Sequence, residues 1–227
     1  MKKLILCCLI ILSNFTFAQN SKVKLGFQGG LNYSNFRGYT IPEIYKPVYD
    51  ESPAFAYLGG INLEYQLNPK LSLRTEINYE RKSQKADNNI QIRQNFDDPV
   101  QDYNFTSKRN YDYIVVPILV KYCFTNEDSF YLNSGPFVGF LLQSKVTNDL
   151  NVSGFNSSDL STTKDTKKND FGLSFGIGKN FDLNNNKTIS IEIRENLGLT
   201  NISKVDVWNG GTLKTNSINL LVGFSFN

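Results

Sequence analysis

Glu76 and Glu80 are the first carboxylates in this sequence whose pairing invites an acid–base reading, since two carboxyls with different environments can share the roles of general acid and general base. They stand four residues apart in a segment of period two, which separates them by about 13 Å along a strand. That is too far for a carboxylate dyad. The chain has no histidine, which removes His-dependent nucleophilic catalysis and His-ligated zinc. Asp97, Asp98 and Asp102 offer oxygen ligands to Ca2+, but not at EF-hand spacing, and solvated loop charge is the simpler reading. Asn104, Asn151, Asn156 and Asn201 fit glycosylation sequons as by-products of an Asn-rich composition. No catalytic, cofactor-binding or metal-ligating residue is assigned, and the sequence reads as non-enzymatic.

The charged residues acquire meaning from the elements that carry them. Period-2 alternation recurs over stretches of about ten residues, the length a tilted transmembrane strand requires. In the first stretch Val23, Leu25, Phe27, Leu31 and Tyr33 share one face. In the second, Phe55, Tyr57, Ile61, Leu63, Tyr65 and Leu67 do so, and in the third Leu71, Leu73, Ile77 and Tyr79. The fourth, Tyr111 to Phe124, is apolar on both faces. Ile114, Val116, Ile118, Val120, Tyr122 and Phe124 form its expected outer face, and Pro117 predicts a bulge or a missing ladder bond. The fifth runs from Phe130 to about Lys145. The sixth centres on Phe171–Ile177, the seventh on Ile189–Leu199 and the eighth on Ile218–Phe226.

Opposite the apolar faces lie Lys24, Glu64, Arg74, Glu76, Glu80, Lys121, Asp170, Glu192 and Arg194. Charges of both signs therefore point into one interior. An eight-stranded barrel is just wide enough inside for side chains to fill it, and buried charges there must pair. An ion-paired plug is the expected arrangement; the sharper alternative is an ion or proton path.

Connections alternate in length. Asn68-Pro69-Lys70, Thr125 to Ser129 and Asp182 to Lys187 are compact polar turns, whereas 34–53, 83–109, 146–168 and 202–212 are long. Short turns at one end and long loops at the other are the signature of outer-membrane barrels, with both termini on the short-turn, periplasmic side. Tyr33, Tyr57, Tyr79, Phe140 and Phe171 fall toward the long loops, and Tyr65, Tyr122, Phe124, Phe130, Phe181 and Phe226 toward the short turns. Two aromatic girdles are expected.

The 227 residues suit one domain. Lys2 and Lys3, the apolar run Leu4 to Leu12 and Thr16-Phe17-Ala18 read as a signal peptide over 1–18, leaving a barrel domain over 19–227. The formal charge of +3 falls to +1 when Lys2 and Lys3 are removed, which offers no footprint for nucleic acid. Cys7 and Cys8 sit too early for a lipoprotein signal, and Cys123 alone cannot form an internal disulfide. No later run reaches eighteen apolar residues, so a membrane role must come through strands. Lys108, Arg109, Lys164, Lys167 and Lys168 could touch anionic head groups or glycans, with ordinary solubility the simpler reading, and Trp208 could anchor a partner or rest at the membrane interface.

Tyr111–Tyr122 (YDYIVVPILVKY) resembles the fourth-strand motif of the PorT-type outer-membrane β-barrel family of Bacteroidota. Gly135-Pro136-Phe137-Val138-Gly139, Asp170-Phe171-Gly172-Leu173 and Arg194–Ile202 (RENLGLTNI) resemble its later motifs. The resemblance covers essentially the whole chain after residue 18. It implies an eight-stranded barrel in the outer membrane and brings no catalytic residues. The founding member is linked to protein secretion, while most relatives have no assigned activity.

The resulting expectation is an all-β, eight-stranded antiparallel up-and-down transmembrane β-barrel in the cell outer membrane. It is expected to be a monomer with a side-chain-filled lumen, in contact with outer-membrane lipid. Its role is structural or interaction-based, accessory to protein secretion or surface assembly, with other outer-membrane or secretion proteins as partners and without cofactors. The alternatives are a narrow passive pore and a soluble lipocalin-like carrier.

Overall fold

A computed structural model describes residues 22–92, 99–124, 130–150, 158–183 and 187–226. The expected signal peptide, Asp97, Asp98, Asn151, Asn156 and the 125–129 turn lie outside the described residues. The strands are β1 (Val23–Arg37), β2 (Tyr49–Asn68), β3 (Leu71–Ile92), β4 (Gln101–Cys123), β5 (Phe130–Leu150), β6 (Ser158–Ser161), β7 (Asn169–Leu183), β8 (Lys187–Gly198) and β9 (Lys214–Phe226). All pairings are antiparallel. β1 pairs with β9, β4 with β5 and β5 with β7, so eight strands close into a ring and β6 hangs on β5 outside it.

The alternation sorts as expected. Phe27, Leu31, Phe55, Ile61, Ile77, Ile118, Val120, Phe175, Ile177, Ile193 and Val222 face outward and are exposed. Gln28, Asn32, Asn62, Arg74, Glu76, Glu80, Lys121, Glu192, Arg194 and Asn219 are buried within the ring. This is the inverse of a soluble protein, and it suits a barrel whose outside meets lipid and whose inside must satisfy polar groups. Both girdles face outward: Tyr33 packs on Phe55 and Tyr57 on Tyr79 at the long-loop end, and Tyr122 meets Phe124 edge-on at the other.

Glycines of the inner face make room for large rings. A Cβ on Gly178 would stand 2.4 Å from the Tyr131 ring, and one on Gly172 would stand 2.4 Å from the Phe137 ring. The Asn68 side chain closes the β2–β3 turn, accepting the amides of Lys70 and Leu71 at 2.9 Å each.

One expectation changes and another resolves between its two alternatives. The connection 83–109 is largely strand and 34–53 nearly half strand: β3 and β4 stay paired out to Ile92 and Gln101, β1 runs to Arg37 and β2 begins at Tyr49. Strands of 20–23 residues are about twice what a bilayer needs. Beyond the lipid neither face need be apolar, so the alternation that marks a membrane strand fades while the ladder continues. At Pro117, where a bulge or a missing ladder bond is expected, the missing bond is what is found. The register on both sides of it is unshifted, with pairs skipped between Thr75↔Ile118 and Asn78↔Val115. The missing bond is there, and the bulge lies instead between Asp112 and Tyr113, where Leu142 of β5 is the extra residue.

Candidate functional site: the lumen and the cup above it

The ring closes around a layered polar interior. Near the short-turn end, Lys121 Nζ donates to Glu64 Oε2 at 2.9 Å and lies 4.3 Å from the centre of the Tyr131 ring. Tyr131 in turn donates to Glu192 Oε2 at 2.8 Å. One layer up, Arg194 holds Glu76 with two hydrogen bonds of 2.6 and 2.9 Å and reaches Glu192 Oε1 at 2.5 Å. Arg74 Nε lies 2.7 Å from Glu76 Oε1 but off the hydrogen-bonding direction, so that contact is an ion pair only. Gln28 and Asn78 donate to the remaining lone pairs of Glu76 at 2.7 and 2.8 Å, and Arg74 also donates to Gln28. Two arginines and two carboxylates thus lie across the middle of the lumen, each 4% exposed or less. The bidentate Arg194–Glu76 geometry is the strongest form such a pair takes.

Above this layer Glu80 accepts from Asn32, Asn196 and Ser217, all neutral donors. Glu76 and Glu80 therefore belong to separate hydrogen-bond sets, as their sequence spacing implies. Higher still, Lys82 Nζ sits 3.1 Å from Asp170 Oδ2 and donates to Thr215. All nine expected inward charges lie on the inner face. Lys82 is a further lumen charge that sequence reading missed, although it continues the even-numbered face of β3. With it, the described residues at lumen level include five cations (Lys24, Arg74, Lys82, Lys121, Arg194) and five carboxylates (Glu64, Glu76, Glu80, Asp170, Glu192). An apolar cap of Phe36, Tyr111, Tyr113, Val115, Phe137, Ile202 and Leu213 closes the long-loop end. At the short-turn mouth, between Lys24, Glu64 and Lys121, the free cavity is about 10 Å3, barely one water molecule. A lipocalin-like carrier has a polar outside and an open cavity; here the outside is apolar and the interior is full, so that expectation is withdrawn.

A family model described as the outer membrane protein beta-barrel domain matches residues 17–204. The chain belongs to this family. It is an outer-membrane β-barrel protein, and its apolar outer belt lies in the outer membrane. Among curated proteins none matches the chain. Among solved structures, Neisserial surface protein A is 14% identical, covering 90% of this chain and 96% of that one, with a TM-score of 0.42. The outer membrane protein OprG from Pseudomonas aeruginosa is 10% identical over 90% and 95%, with a TM-score of 0.43. The outer membrane protease OmpT from Escherichia coli is 10% identical over 92% and 97%, with a TM-score of 0.45.

The outer-membrane barrel carries a second constructed feature above its cap. The segments 38–48, 162–168 and 199–213 fold over the barrel mouth and tie to one another. Lys167 N donates to Ile202 O, Ile202 N to Leu213 O and Thr212 N to Gly38 O, at 2.7, 2.8 and 2.7 Å. Asn201, expected only as a chance sequon, organises the turn by accepting the amides of Ser203 and Leu213. These segments and β4 enclose an outward-opening cup of about 620 Å3. Arg109 lines it and does not reach toward lipid: it donates to Tyr49 Oη at 2.7 Å and lies 3.4 Å from Glu51. Tyr39 donates to the same carboxylate at 2.5 Å. Burial pushes the Tyr49 hydroxyl up to about 12, with Arg109 opposing and Glu51 reinforcing the rise. Burial and the Glu51 hydrogen bond raise Tyr39 as well. Trp208 lines the cup and packs on Tyr45, with ring centroids 5.0 Å apart.

Proposed function

We propose that this protein is a closed, non-catalytic membrane scaffold that acts as a monomer through its long-loop surface. In this reading the loops face the cell exterior and the termini the periplasm. Its place is accessory to protein secretion or surface assembly, as in the PorT-type barrels of Bacteroidota that its motifs resemble, and its partners are lipid and other outer-membrane or secretion proteins. The observation that carries the reading is the Arg74–Glu76–Glu192–Arg194 cluster, which fills the lumen where a pore would need to be open. Buried, bidentate pairs of this kind hold their geometry because separating them strands charge. In planar bilayers the protein is expected to give no regular channel steps; regular steps at moderate voltage would sink the closed-lumen reading. Pull-down from detergent-solubilised outer membrane is expected to recover secretion or assembly components, and recovery of none would reduce the role to a stand-alone scaffold.

A narrow passive pore is the second reading. It is favoured by the buried amides of Asn133 and Asn219, whose polar atoms have no partner among the described residues and call for water.

A further inference from the structure

The scaffold reading makes no use of the cup. We propose that the cup is a binding site for a neutral oligosaccharide of a few sugar rings. The inference goes beyond the scaffold reading and rests only on the long-loop end standing clear of the lipid. A volume of about 620 Å3 lies well within the range of small-molecule sites and far above what a single ion needs. Its lining mixes three kinds of group. Tyr39, Tyr111 and Trp208 offer aromatic surface, Arg109 offers donors, and Asp165 and Asp206 offer acceptors.

A sugar ring needs all three, because its C–H face is apolar and each hydroxyl both donates and accepts. The same mixture disfavours charged ligands. A phosphate or carboxylate would meet Asp165 and Asp206, and an organic cation would meet Arg109. The walls are also built before any ligand arrives. Glu51 holds both Arg109 and Tyr39, and Tyr45 backs Trp208. Beside Trp208, Asn209 adopts φ 53, a left-handed conformation unusual for a residue with a side chain. It is held there by two hydrogen bonds of 3.1 Å to Thr40. Local strain of this kind persists where the surroundings hold it and is concentrated at ligand sites.

Trp208 is the only tryptophan in the chain, so its fluorescence reports on the cup alone. The full-length protein would be purified in an amine-oxide detergent, which carries no sugar head group, and titrated with maltotriose, cellotriose and chitotriose. At least one is expected to change Trp208 emission saturably with a Kd of about 1 mM or tighter. The same sugar is expected to shield Trp208 from a neutral quencher, a measurement that needs no variant. The double variant Asp165→Asn/Asp206→Asn is expected to weaken that sugar by about tenfold or more, with circular dichroism and heat-modifiable gel mobility unchanged. No saturable change with any of these sugars up to about 10 mM would overturn the proposal. So would equal affinity in the double variant, or a stronger response to inorganic phosphate or tetramethylammonium. Channel steps in a bilayer would remove the closed-lumen reading and leave this one standing.

Discussion

The barrel at lipid level and the barrel above it solve opposite problems with one continuous set of strands. At lipid level the apolar residues face out, and Arg74, Glu76, Glu192 and Arg194 are packed at the centre. Above it the order reverses. Phe36, Tyr111, Ile202 and Leu213 gather inside, while charges such as Lys85, Asp87, Lys145 and Asp159 lie outside. Where the outside is hydrocarbon there is no hydrophobic gain from collecting apolar groups inward, and the interior must satisfy its own polar atoms. Where the outside is water, the ordinary hydrophobic core returns. Arg81 and Asp112 stand near the crossover. Their paired hydrogen bonds of 2.6 and 2.8 Å point outward, just above the stacked Tyr57 and Tyr79.

The sharpest way to break this contrast is Glu76→Ala, which leaves Arg74 and Arg194 without their shared carboxylate. It is expected to cost about 3–5 kcal/mol, read as a fall in the urea midpoint of heat-modifiable gel mobility. Replacing all four members together (Arg74→Met, Glu76→Leu, Glu192→Leu, Arg194→Met) should recover much of that loss, because no stranded charge remains. A quadruple variant no better than the single one would show that the cluster stabilises by more than mutual compensation. In the upper region Ile202→Ala, at a side chain with no exposure, should cost about 3 kcal/mol through the cavity it leaves. A loss far below that would mean the cap is not a packed core. On the lipid face, Ile193→Arg at mid-strand should cost about 2 kcal/mol or more on refolding into bilayers, whereas Phe181→Arg near the short-turn rim should cost about 1 or less. Equal penalties at the two positions would contradict the placement of the belt.

The smallest effect is just behind the cup wall, at the Tyr49 hydroxyl to which Arg109 donates. The Tyr49 hydroxyl titrates near 12 in the folded protein against 10.0 unperturbed. The raised value means that folding favours the protonated form. Its contribution is complete below pH 10 and is lost as pH rises through about 12. Trp208 emission should therefore drift over that interval, and Tyr49→Phe should flatten the drift while weakening the wall by about 1 kcal/mol. An identical drift in the variant would place its origin elsewhere.

The residues most legible in advance were those whose neighbours are only two positions away. Phe171, Leu173, Phe175 and Ile177 announce both a strand and its outward face, because lipid and lumen lie on opposite sides of every strand. Lys82 was legible too, one step further along the β3 face. The paired extensions of β3 and β4 were not, since a ladder between polar faces leaves no period to read. Nor was the cup. Tyr39, Arg109, Asp165 and Trp208 come from four separate segments, and nothing local marks them as neighbours.

Sequence alone therefore determined the strand count of the ring, the inside and outside of each membrane strand, the two girdles and the end at which loops are long. These follow from period, length and turn chemistry, which act within a few residues. Only the tertiary structure decided that Arg194 grips Glu76 from 118 positions away and that the long loops are half strand. It alone also brought the segments over the mouth together into a walled cup. Those outcomes depend on ring closure, which places distant side chains at one level through a register that no single strand encodes.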